Sequence, residues 1–372
     1  MHLLRCFGAS LLLAVLLQPA FAQLKTAPDG GNKRALVGET IGITDITIHY
    51  DRPAVRGRQG AIWGKLVPYG FTDLGFGTSK QAPWRAGANE NTTFTFSTDV
   101  AINGHPLPAG TYGFHIAVYE DKCTLIFSRN STSWGSFFYD PKEDVLRLDV
   151  KQQTGQPLTE YLVYDFSAET DSSAEVGLKW ENWRIPFTVS VDLIPLQLAS
   201  FRNELRSEKS FSPGWQSWHQ AAAYCLQHNV NLEEALQWAD MSISGVFIGQ
   251  PNFATLSTKA GILEKLGRSE EASKLMAQAL PMGNMNQVHA YARQLLAQDK
   301  NKEAISAFKK NYEKYPNTFT TNMGMVRASA AEGDNKKAIS YAEKALAQAP
   351  DPANKSNVEQ VIKALKEGKK IN

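Results

Sequence analysis

Arg184-Ile185-Pro186-Phe187-Thr188-Val189-Ser190-Val191 and, further on, Trp215-Gln216-Ser217-Trp218-His219-Gln220-Ala221-Ala222-Ala223-Tyr224-Cys225 stand on either side of a change in pattern. In the first stretch apolar and polar side chains alternate, a period of two that turns one face of a strand toward a core. In the second, apolar residues recur three and four positions apart, which marks one face of a helix. The chain therefore reads as two parts, β and then α. Its 372 residues give each part room for a core of its own.

Upstream the period stays at two from Ile41 to about Asp192. Ile46, Ile48 and Tyr50 alternate with Thr47, His49 and Asp51, and Phe94 and Phe96 alternate with Thr93, Thr95 and Ser97. Val100-Ala101-Ile102 followed by Asn103-Gly104 predicts a hairpin, because Asn-Gly takes the positive φ angles of a tight turn. A Pro106–Gly110 corner then leads to a strand carrying Tyr112, Phe114, Ile116 and Val118. Further strands are expected at Cys123–Ser128, Val145–Val150, Leu158–Phe166, Val176–Trp180 and Arg184–Val191. Short strands separated by turn residues, with no helical period between them, predict an antiparallel β-sandwich or barrel-like domain over residues 23–195. The Gly/Pro-rich piece Arg52–Gly87 is long for a connection and is expected to fold over one end of it.

Downstream, residues 196–214 read as a linker, the Ser- and charge-rich part from Ser200 to Gly214 as a linker or a capping segment, and residues 215–372 read as a solenoid of short helices. Ala235, Ala272, Ala304 and Ala338 are separated by 37, 32 and 34 residues, which is the tetratricopeptide period rather than the longer HEAT or armadillo one. Gly267-Arg268, Asp299-Lys300-Asn301 and Gly333-Asp334-Asn335 fall between the helices of successive pairs, and Pro281, Pro316 and Pro350 close the units. Three to four helix pairs and a capping helix, Lys355–Glu367, are expected. Such pairs stack because one pair cannot bury its apolar face alone.

Residues 1–22 carry a lone Arg5, an apolar run from Leu11 to Leu17 and the small-x-small triplet Ala20-Phe21-Ala22, which predicts a signal peptide cut near Ala22/Gln23 and a periplasmic or secreted protein. No later apolar stretch is long enough to span a membrane, so no integral membrane segment is expected after signal removal. Cys123 and Cys225 fall in different parts and read as free thiols. With 39 basic and 37 acidic side chains, nothing points to nucleic acid.

Asp51-Arg52-Pro53-Ala54-Val55-Arg56-Gly57-Arg58, then Ile62-Trp63-Gly64-Lys65-Leu66-Val67-Pro68-Tyr69-Gly70, then Trp84-Arg85-Ala86-Gly87-Ala88-Asn89-Glu90, then Asp99–Gly104, Leu107–Tyr112 and Trp134-Gly135 form an ordered series. The series resembles the DUF2911 family over roughly Gln23 to Phe166, with Phe71–Pro83 as an insertion-like departure. The resemblance implies an exported bacterial protein with a β-rich domain, sometimes followed by helical repeats, and confers no activity.

The densest polar group is Arg52, Arg56, Arg58, Trp84, Arg85, Asn89 and Glu90, in or beside the long loop. Guanidinium forks match carboxylates, phosphates and sugar acids, so these are the ligand-binding candidates; pairing of Glu90 with one of the arginines to pin the loop is the structural alternative. His49 and His115 lie on the polar side of their strand patterns, without the spacing of a metal site. Gly75-Phe76-Gly77-Thr78-Ser79-Lys80 lacks the setting of a phosphate loop, and no nucleophile elbow occurs. No cofactor and no metal is expected, and the catalytic residues are unassigned. The pattern favours a binding or scaffold protein whose repeats hold a protein or peptide, with a small anionic or glycan ligand at the β domain. The alternatives are a hydrolase using Glu90 among the arginines, and a carbohydrate-binding module using Trp63, Trp84, Trp134, Tyr69 and Tyr139.

Overall fold

The computed structural model describes residues 31–371, so the expected signal segment lies outside the described residues. The chain divides at Leu196 into two compact units.

The first unit holds eleven strands: β1 (Lys33–Ile41), β2 (Thr44–Arg52), β3 (Thr92–Phe96), β4 (Val100–Ile102), β5 (His105–Leu107), β6 (Gly110–Val118), β7 (Cys123–Ser128), β8 (Asp144–Val150), β9 (Thr159–Ser167), β10 (Ser173–Glu181) and β11 (Trp183–Ser190). They form two antiparallel sheets, in the orders β1-β2-β3-β6-β7-β8 and β5-β4-β11-β10-β9. Neither closes on itself, so the unit is a sandwich and not a barrel. The alternating residues meet between the sheets, where Ile46, Ile48, Phe94, Phe96, Phe114, Phe127, Tyr164 and Phe187 make one continuous core.

Three local expectations are corrected. The sheet starts at Lys33 rather than Ile41, because β1 is an edge strand whose half-covered Ala35, Val37 and Glu39 carry little apolar signal while Leu36 is 60% exposed. His105–Leu107, read as turn and corner, is a strand that pairs back on Val100–Ile102 across Asn103-Gly104. The stretch read as linker begins as helix α1 (Leu193–Glu204), whose Leu193 and Leu196 pack on the β core.

The long loop, residues 53–91, takes the place that the short β3 leaves beside β6. Trp84 and Ile116 exchange backbone hydrogen bonds of 3.0 and 2.8 Å, and the Gly70 N–H donates to the Val118 carbonyl at 2.8 Å. The same loop reaches the other sheet, where the Val55 N–H donates to Glu160 and the Leu162 N–H to Pro53. Phe71 and Tyr139 cover Ala117 and Ile126 on the outer face of β6 and β7, so this part of the sheet is buried on both faces.

The second unit is helical: α2 (Trp215–His228), α3 (Leu232–Ser244), α4 (Phe253–Lys265), α5 (Ser269–Ala279), α6 (Met285–Ala297), α7 (Asn301–Lys314), α8 (Phe319–Ala331), α9 (Asn335–Leu346) and α10 (Pro352–Lys366). Four antiparallel pairs and a final helix result, and the four repeat alanines lie buried on α3, α5, α7 and α9. All four pairs share one turn. Asn229, Gly267, Asp299 and Gly333 follow the first helix with positive φ, and the next N–H closes back on Cys225, Leu263, Leu295 and Ser329 respectively. That pattern satisfies carbonyls left open at a helix end.

Candidate functional site

A cavity of about 400 Å³ opens in the β domain between the long loop and the sandwich. Its floor includes Val67, Trp84 and Trp180, its wall Pro68, Thr72 and Ser136, and its charged side chains are Arg56, Arg58 and Arg85. Among the described residues no carboxylate lines it.

Each arginine is held differently. Arg85 donates Nη1 to the Asn89 carbonyl at 2.6 Å, and its guanidinium lies 4.9 Å from the Phe137 ring centre. Burial lowers its pKa. Arg58 donates Nε to the Val55 carbonyl at 2.9 Å and Nη2 to the Ala54 carbonyl at 2.7 Å, which folds the side chain back on its own loop. Arg56, exposed at φ +51°, reaches the Gly31 carbonyl at 3.4 Å while its backbone N–H donates to Glu160.

Trp84 and Trp180 line the floor, and Trp63 and Trp183 pack behind them. Trp84 stacks on Trp180 with ring centres 5.9 Å apart, Trp63 meets both edge-on, and Trp63 stacks on Trp183 at 4.5 Å. The Trp84 indole donates to the Gly87 carbonyl at 3.2 Å. Trp63 and Trp84 are thus committed to packing, Tyr139 is buried, and Trp134 and Tyr69 remain exposed.

The other expected residues stand off the cavity. Arg52 donates Nε to the Leu162 carbonyl and lies over the Tyr161 ring. The Asn89 side chain accepts from Asn32. Glu90 pairs with Arg34 at 2.5 Å rather than with any arginine of the expected set. Arg34 stands opposite Asp51 across the β1–β2 ladder, so this contact depends on the edge strand that the sequence pattern hid. Burial first, and then the neighbouring Glu90, push the Asp51 carboxyl up to about 6. A carboxylate sharing a site with another holds its proton to higher pH.

His49 and His115 do not meet. His49 is exposed, whereas His115 is 2% exposed behind the cavity wall with Nδ1 3.0 Å from the Ser136 hydroxyl. Burial, with a smaller contribution from Arg85, pushes its pKa down to about 3, so the ring is neutral near pH 7. Among the described residues no group of three or more His, Cys, Asp or Glu side chains is placed to hold a metal ion. Cys123 and Cys225 are free and buried, their thiols pushed up to about 12 and about 11 chiefly by burial.

The helical unit has a second cationic group. His289 and Arg293 lie one turn apart on α6, and Arg327 on α8 donates Nη1 to the Met323 carbonyl. The helices approach through Gly324, where a side chain would meet Phe308 and come within 3.4 Å of His289 Nδ1. Burial, then Arg327 and Arg293, lower His289 to about 4, and burial, then Arg293, lowers Arg327 to about 10. His289 Nδ1 and Arg327 Nε are buried without partners.

The architecture is that of a β-sandwich followed by a helical-repeat array. Residues 32–189 match the family described as protein of unknown function DUF2911. The N-terminal unit is a DUF2911 domain, and tetratricopeptide-like repeats follow it. No curated protein matches. Among solved structures, the chain is similar to YrrB, a TPR protein described as having an unusual peptide-binding site, at 17% identity over 45% of this chain and 83% of that one, with a TM-score of 0.31. It is also similar to the APC/C hetero-tetramer Cut9–Hcn1, at 16% identity over 48% and 38% of the two chains and a TM-score of 0.30. A third is the C-terminal part of a TPR repeat-containing protein from Cytophaga hutchinsonii, at 17% identity over 47% and 92% with a TM-score of 0.21. The repeat class here rests on the alanine spacing and the shared turns.

Proposed function

We propose that this is an exported binding protein whose helical repeats dock an acidic segment of a protein partner while its β domain holds a small ligand. The observation that carries the docking role is the group His289, Arg293 and Arg327. Arg293 and Arg327 both depress His289, which leaves its ring neutral near pH 7 and the two guanidiniums as the charges; His289 and Arg327 carry buried polar atoms without partners, and neither arginine forms an ion pair with a carboxylate among the described residues. Uncompensated like charge at a half-buried surface is relieved by an anion. Stacked helix pairs present extended surfaces for such segments. Export is supported by the composition of residues 1–22.

The test is a titration of the full chain with fluorescently labelled acidic peptides and with neutral peptides of equal length. Acidic peptides are expected to bind in a salt-sensitive way, and the Arg293→Ala/Arg327→Met double variant to lose about tenfold or more in affinity. Equal binding of neutral peptides, or unchanged affinity in the folded double variant, removes the docking assignment.

A further inference from the structure

We propose that the β-domain cavity is a receptor for one small organic oxyanion, a carboxylate or a phosphate monoester, whose charged end is gripped by Arg85. This deepens the ligand half of the function proposed above and rests on it. The charged and indole groups at the cavity are all donors. Among the described residues Arg85 spends only Nη1, on the Asn89 carbonyl. Its Nε–Nη2 edge is left over, and that edge matches the two oxygens of a carboxylate or phosphate.

The fork is also fixed in advance. Phe137 lies against the guanidinium, and Gly135 packs so closely on it that a Cβ there would collide with the Arg85 nitrogens. Arg58 is pinned by two backbone carbonyls and keeps Nη1 free. A group held before its ligand arrives loses less freedom on binding.

A second observation is independent of the arginines. Trp180 lines the cavity, is 1% exposed, and its Nε1–H has no acceptor. A buried donor left open is rare in a folded interior and calls for a partner. With no carboxylate in the lining, an acceptor-rich ligand supplies what these donors lack. The volume of about 400 Å³ suits a small molecule rather than a polymer.

Isothermal titration of the full chain with benzoate, D-glucuronate, glycerol 3-phosphate and neutral D-glucose tests this, with tryptophan fluorescence as a second readout. At least one of the three anions is expected to bind saturably, and the one preferred tells carboxylate from phosphate. Glucose should not bind. Arg85→Gln should weaken the preferred anion by about tenfold or more, while Lys122→Gln, in the turn between β6 and β7 and outside the lining, leaves it unchanged. Arg58→Gln, at the open side, gives the same direction should Arg85→Gln fail to fold. The proposal is overturned when no anion binds, when glucose binds as well as glucuronate, or when folded arginine variants keep full affinity. Preference for glucose would still leave a ligand-binding β domain, and acidic-peptide docking measured on the same protein reports separately on the helical unit.

Discussion

The two units bury their apolar surface in opposite styles. In the β unit, large rings interlock across both sheets: Phe94 lies within 4.7 to 6.0 Å of Phe96, Phe114, Phe127, Tyr164 and Phe187, all in one cluster. In the helical unit, small residues let helices approach, and burial is divided into separate groups around α4–α5, α6–α7 and α8–α10. A shared core makes strands depend on one another. A divided core makes each pair depend mainly on its neighbours.

The largest expected effect lies in the shared core. Phe94→Ala should cost about 3–5 kcal/mol and open the whole sandwich, read as one urea transition with loss of amide-exchange protection in both sheets. Loss confined to β3 would break the contrast. Acid acts on the same unit through His115. Its folded pKa is depressed, so its contribution is fully present above the ordinary value of 6.5 and is lost as pH falls from there toward about 3. The urea midpoint followed by β-unit fluorescence should fall over that range, and more shallowly in His115→Gln; identical slopes would argue against a buried neutral ring. In the divided core, Ala304→Leu should cost about 1–3 kcal/mol through overpacking and release amide protection in α6 and α7 while sparing α4 and α5. The smallest effect is at the shared turn. Asp299 occupies the position of Gly267 and Gly333, so Asp299→Gly should stabilise the repeat by about 0.5 kcal/mol, the relief of left-handed strain exceeding the added freedom of the unfolded chain. A lower thermal midpoint would contradict this.

Much of this contrast was legible in the sequence. Alternation at Phe94 and Phe96 and the alanine spacing depend on near neighbours and a fixed period, which the chain displays directly. What escaped depends on partners far apart. β1 is half covered and weakly apolar, so its alternation was too faint to read; Arg34 then went unnoticed as the partner of Glu90, because only the β1–β2 register sets it opposite Asp51. Of the candidate arginines, Arg56, Arg58 and Arg85 line one cavity. The rest of its lining was out of reach. Trp180 comes from β10, about a hundred residues beyond the loop, and Ser136 from the turn before β8. Helix α1 was read as linker because Pro195 stands in its first turn and the residues from Asn203 to Ser210 that follow its apolar start are mostly polar.

The cavity takes most of its wall from residues 53–91, and because Val55, Val67 and Ala86 of that segment also enter the β core, a change there bears on the scaffold as well as on the lining. Lining residues outside that core, among them Leu66, Pro68, Thr72 and Leu74, are the ones whose exchange would reshape the cavity while leaving the shared contacts in place.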